Sequence, residues 1–137
     1  MKPHDERTGG KMSIVNNTSV QLLGKLMDGL WKRQETISEN IANIDTPYYR
    51  RKSVSFEEDL KKAMAEPTSQ QVSDQISEVK IQVEEDARYF YTADYNGVDI
   101  DKENLELAKS TIQYQYAVRM INDSFSRARY MINEGRR

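Results

Sequence analysis

Residues 39–56 read ENIANIDTPYYRRKSVSF, a stretch in which a helical apolar pattern meets a stop. Pro47 has no amide to donate and pushes Thr46 out of the helical region, so a helix arriving from the N-terminal side ends near Asn43 to Asp45. Upstream, Leu23, Leu30, Ile37 and Ile44 recur every seven residues, with Leu26, Met27 and Ile41 between them. That spacing is the seam of a helix that packs lengthwise on another helix. It predicts a helix capped by Asn17 or Thr18 and running to about Asn43. Such a helix spans about 39 Å, more than a chain of this size buries internally. Arg33, Gln34 and Asn40 interrupt the seam, and Gly24 and Gly29 each weaken the isolated helix by ~1 kcal/mol. Packing has to supply the stability.

Downstream of the stop, Ser55 is placed to cap a short helix whose first turn holds Glu57, Glu58 and Asp59, with Phe56 and Leu60 on one face. Residues 66–76, EPTSQQVSDQI, are polar and punctuated and read as a loop. Val79, Ile81 and Val83 alternate with polar residues, as in a half-buried strand, and Asn96-Gly97 is a hairpin-turn signal. This small β element is the expected locally folded core. From about Asp101 to Ile132 a second long helix follows. Thr111, Val118, Phe125 and Ile132 lie seven apart, and Leu107, Tyr114, Ile121 and Ala128 form the complementary row. Gly135 is placed to end it.

The expected fold class is therefore mainly α: long N- and C-terminal helices forming a coiled-coil-like hairpin, with a small β and loop element between them. The parts are residues 1–11, a leader or upstream extension before a second Met at position 12; 12–64, the N-terminal helix, Pro-Tyr turn and short helix; 65–98, the loop and β element; and 99–137, the C-terminal helix. Leu, Ile, Val and Phe make up only about a fifth of the 137 residues, at the edge of what supports an independent core. The termini are expected to be flexible in the monomer.

The net charge is −2, which argues against a dedicated nucleic-acid binder. Charge is nevertheless segregated: residues 74–106 are strongly acidic and 107–137 basic, a pattern that reads first as a solvated charged face and second as one that steers subunits together. There is no cysteine, which excludes disulfides, thiolate zinc sites and thiol nucleophiles. His4 is the one histidine and falls in the presumed leader, against a Ser-His triad or a histidine metal site. Asp94 and Asn96 open a calcium-loop pattern that fails at Val98 and Asp99, where the loop needs a ligand and then Gly. Glu57, Glu58, Glu84 and Glu85 read as exposed acids at helix and strand ends rather than as a catalytic acid-base pair, and no phosphate loop or dinucleotide fingerprint is present. No enzyme and no cofactor is expected. Arg50, Arg51 and Lys52 beside Tyr48 and Tyr49 read as a contact with a neighbouring subunit rather than a base-stacking or membrane patch.

The stretch at 39–51 resembles the N-terminal signature of flagellar axial proteins, the rod, hook and hook-associated group, which runs roughly Asn-Asn-Ile-Ala-Asn-x-x-Thr-Pro-Gly-Tyr. Asn40, Ile41, Ala42, Asn43, Thr46, Pro47 and Tyr49 match it, while Glu39 and Tyr48 depart. Tyr48 stands where Gly permits a left-handed turn. The short chain, the absence of a large insert and the tail from Asn96 to Ile132 resemble rod proteins of the FlgB type. The likeness covers residues 18–64 and 96–132. It implies a structural subunit of the bacterial flagellar basal-body rod, exported through the flagellar type III apparatus without a cleaved signal and assembled in the periplasm. The implied partners are copies of itself, other rod and basal-body proteins and the export apparatus, with no nucleic acid and no membrane insertion. Subunit packing falls to Leu23, Leu30, Ile37, Ile44, Leu107, Tyr114, Val118, Ile121, Phe125 and Ile132. Phe56 and Leu60 fit the Phe-x-x-x-apolar export-gate motif. A rod protein of the FlgC type and a cytosolic coiled-coil adaptor or chaperone are the alternatives.

Overall fold

The computed structural model describes residues 7–65, 68–86 and 97–134. Two long helices dominate, α1 (Arg7–Ala42) and α4 (Ile100–Glu134). Between them come β1 (Lys52–Ser55), α2 (Glu57–Met64), α3 (Ser69–Glu78) and β2 (Gln82–Glu85). The fold is mainly α, with the two long helices that the seams predict and a small two-stranded sheet.

α1 begins well before the expected caps, so Asn17 and Thr18 lie inside a helix of 36 residues, about 54 Å long. Its end falls where Pro47 dictates. The amides of Asn43, Ile44 and Thr46 close tight turns on the carbonyls of Glu39, Ile41 and Asn43, and Tyr49 N–H then bonds the Thr46 carbonyl at 3.3 Å. In this last turn Pro47 is second and Tyr48 third, and Tyr48 has φ 62°. Those are the marks of a type II turn, whose third position favours Gly. Tyr48 accepts the strain of a left-handed residue, ~1–2 kcal/mol.

The core lies beside the middle of α1. Leu30, Val54, Phe56, Leu60, Ala63, Ile76 and Val79 form one buried cluster, flanked by Leu22, Leu26, Val72, Ile81 and Tyr114. Phe56 is its centre. A Cβ on Gly29 would stand 2.6 Å from the Phe56 ring, so only glycine admits the ring against α1. Arg33 closes the other side: its guanidinium lies 5.1 Å from the ring centroid, donates to the Val54 carbonyl at 2.9 Å and pairs with Glu57 at 2.6 Å. Arg33, one of the residues that break the apolar seam, thus seats β1 and α2.

Three expectations are corrected. Residues 66–76 are not all loop, because α3 occupies most of them. Thr68 Oγ1 accepts the Gln71 amide at 3.3 Å and donates to Gln71 Oε1 at 2.6 Å, a variant of the capping box; Val72, Ile76 and Val79 then supply an apolar face. Ser55 does not cap α2, since it ends β1 and the cap position belongs to Phe56, which makes no side-chain cap bond. The strand at 82–85 pairs not within its own segment but antiparallel with β1, Val54 opposite Val83 and Lys52 opposite Glu85. The expected leader's first six residues, Asn96 of the hairpin signal and Gly135 lie outside the described residues.

Candidate functional site

α4 runs antiparallel along α1. Ser110 Oγ donates to the Leu30 carbonyl at 3.3 Å, while seven residues earlier Glu103 meets Asn40. The row of α4 turned onto α1 is Glu103, Ser110 and Ala117, all buried and seven apart. It faces Leu23, Leu30 and Ile37, also buried. Small side chains let the two helices approach closely. The row Thr111, Val118, Phe125 and Ile132 does not hold that position. Val118 is half-buried, but Phe125 and Ile132 are 56% and 67% exposed. Ile44, Leu107, Tyr114 and Ile121 are half-buried at the flanks, with Tyr114 reaching the core cluster.

At the far end the two helices are clipped together by the signature turn. Asn40 is fully buried and uses its whole amide. Nδ2 donates to the Lys52 carbonyl at 2.8 Å and to Glu103 Oε2 at 2.9 Å. Oδ1 accepts the Lys52 amide at 2.9 Å and the Tyr49 hydroxyl at 3.3 Å. Two donors and two acceptors exhaust what an Asn side chain offers. Glu103, also fully buried, accepts from Arg51 Nε with its other oxygen, so the charge is both paired and hydrogen-bonded, as a buried carboxylate requires.

Asn43 and Thr46 form the stop itself. Asn43 Nδ2 donates to the Glu39 carbonyl at 2.8 Å, and Thr46 Oγ1 donates to Asn43 Oδ1 at 3.2 Å. Burial, with Glu39 as the next cause, pushes the Tyr49 hydroxyl above its ordinary pKa. The Lys52 ammonium, hydrogen-bonded to Glu39, is held charged to higher pH than usual. Asp99 starts α4: its Oδ1 accepts the amides of Asp101 and Lys102 at 3.1 and 3.3 Å. Those bonds, Lys102 first, hold its carboxyl below the usual carboxylate range.

The basic trio has ion-pair partners within the chain. Arg51 pairs with Glu103, Lys52 with Glu39, and Arg50 with Glu85 at 3.8 Å, all within the chain. Sequence reading missed Glu103 as the partner of Arg51. Its signal was an acid one helical repeat before Ser110, where an apolar seam has no use for one. Phe56 and Leu60 are buried in the core. Among the described residues no cluster of His, Asp or Glu forms a cation site, and no helix is long and apolar enough to cross a membrane.

Residues 30–50, the end of α1 and its turn, match the family model described as "Flagella basal body rod protein". Over 132 residues, 91% of this chain and the full length of the relative, the sequence is 33% identical to the flagellar basal body rod protein FlgB of Bacillus subtilis (strain 168). The chain belongs to the FlgB family of flagellar basal body rod proteins. The FlgB of Proteus mirabilis (strain HI4320) is 28% identical over 117 residues, 76% of this chain and 85% of that one. That of Borreliella burgdorferi is 51% identical over 45 residues, a third of each chain. The FlgB family is a structural one, and Asn40 and Tyr49 of the clip sit inside the segment its family model matches, with Arg51, Lys52 and Glu103 beyond it.

Proposed function

We infer that this FlgB-family chain is a self-assembling structural subunit of the basal-body rod in the periplasm, exported by the flagellar type III system and completed by neighbouring subunits that cover the outer faces of α1 and α4. The observation that carries the reading is the apolar surface of α4. Leu105, Ile112, Tyr116, Met120, Phe125, Tyr130, Met131 and Ile132 are all exposed on one helix. A run of that kind on a soluble chain marks a surface meant to be covered. Phe125 and Ile132 are the packing residues that α1 leaves open, so replacing both with Asp leaves the subunit folded. Such a strain should secrete the protein at normal levels, build no rod and fail to swim. Normal motility would defeat the assembly role of these residues.

The export reading rests on Phe56 and Leu60. Both are buried in the folded chain, so recognition there requires passage in an unfolded state. Phe56→Ala removes a core aromatic and destabilises the fold by ~3–5 kcal/mol, which on its own eases unfolding for export. A fall in secreted protein despite that loss supports a gate contact. Unchanged or increased secretion removes it.

A further inference from the structure

Beside the buried row of α4, Leu26 and Leu30 of α1 and Ile112, Tyr116, Ala117 and Met120 of α4 enclose an open, largely apolar groove of about 300 Å³, also lined by Gln113 and by Glu57, whose charge is paired with Arg33 at 2.6 Å. Ile112 and Tyr116 are each 66% exposed. Lys109 and Arg119 bracket them along the helix, three residues before Ile112 and three after Tyr116, so all four share a face. The outer surface of α1 carries the opposite arrangement. Trp31 is 64% exposed, with Asp28 three residues before it and Glu35 four after, both exposed.

We propose that the groove is filled by Trp31 of a second copy of this chain, with Asp28 and Glu35 of that copy set against Arg119 and Lys109. The occupant follows from charge and shape. Each copy offers an aromatic knob between two acids and a largely apolar slot between two bases, where the one lining acid, Glu57, is already neutralised by Arg33. The brackets span about 10 Å and about 15 Å along their helices, a difference that long Lys and Arg side chains absorb. The existing partners of these charges are weak competitors. Lys32 with Glu35 and Glu106 with Lys109 are exposed neighbours on one helix, contributing tenths of a kcal/mol at most. A Trp in an apolar slot is the type of residue that dominates interface energy. Knob and slot lie on different surfaces of one molecule, so the contact is heterologous: it propagates head to tail and builds an open helical array unless a ring closes. The proposal rests on the rod reading and supplies its repeating contact.

Trp31 is the one tryptophan in the chain, so emission of the full-length protein reports this ring alone. As concentration rises and light scattering shows association, the emission maximum should move to shorter wavelength. Ile112→Glu with Tyr116→Glu should raise the concentration needed for both signals at least tenfold. So should Lys109→Glu with Arg119→Glu. These side chains are exposed, and unchanged far-ultraviolet circular dichroism checks the fold. Mixing the Lys109→Glu, Arg119→Glu chain with an Asp28→Lys, Glu35→Lys chain should restore association that neither shows alone. The proposal is overturned if association leaves Trp31 emission unmoved, if the charge-reversed pair fails to rescue, or if the chain does not self-associate at all. The rod reading fails separately, by a strain lacking the gene that still builds rods and swims.

Discussion

Asn40 makes four hydrogen bonds with one amide, and they reach three places in the fold: the Lys52 backbone twice, Tyr49 and Glu103. Removing it leaves the Glu103 oxygen and the Lys52 amide buried without partners, which costs ~1–3 kcal/mol. Asn40→Ala is therefore expected to lose about 2 kcal/mol in urea denaturation. Glu103→Gln should cost a similar amount although it is nearly isosteric. Both carboxylate oxygens accept hydrogen bonds, so an amide turns its NH2 toward a donor whichever way it sits. A Glu103→Gln protein as stable as the parent would show that the charge is dispensable. Tyr48 offers the opposite case. With φ 62° it carries a strain that Gly does not, so Tyr48→Gly should be neutral or stabilise by up to ~1 kcal/mol. The signature residues were legible as a pattern in the sequence, but what they do was not. That depends on Arg51 and Glu103, which stand 52 residues apart.

The two glycines of α1 separate helix propensity from packing. Around Gly24 there is open space, and Gly24→Ala should stabilise by up to ~1 kcal/mol. At Gly29 the same change drives a methyl group into the Phe56 ring, and a loss of ~1–3 kcal/mol is expected from overpacking; equal effects at both sites would contradict the close approach. Asp99 sets a pH dependence at the start of α4. Its folded-state pKa is depressed, so between the folded and unfolded values the unfolded chain binds more protons. The contribution is complete above about pH 4 and is lost as pH falls through the folded value. Asp99→Asn should flatten that part of an acid-unfolding curve. The long helices were legible because apolar seven-residue repeats are a strong signal. α3 was not, because Pro67 and a polar composition outweighed the Thr68-Gln71 cap and a thin face of Val72, Ile76 and Val79. The misplaced row on α4 has a more general cause. Apolar periodicity locates the apolar face of a helix, and in α4 the face turned onto α1 is partly polar, Glu103, Ser110 and Ala117, while much of the apolar surface points outward.

At the scale of the molecule, that outward surface is what the account rests on. α1, β1, α2 and α3 share one buried cluster, and α4 is joined to it through a narrow seam and the Asn40 clip. The chain has enough core to hold its shape and too little to cover its second long helix. The central claim is that faces open in the single subunit are closed in the rod. The chain contains no cysteine, so a lone Phe125→Cys substitution gives a clean probe of thiol labelling. The account predicts rapid labelling of the purified monomer and strong protection of the same residue in isolated basal bodies. Protection already present in the monomer, or free labelling in the assembled rod, would contradict it.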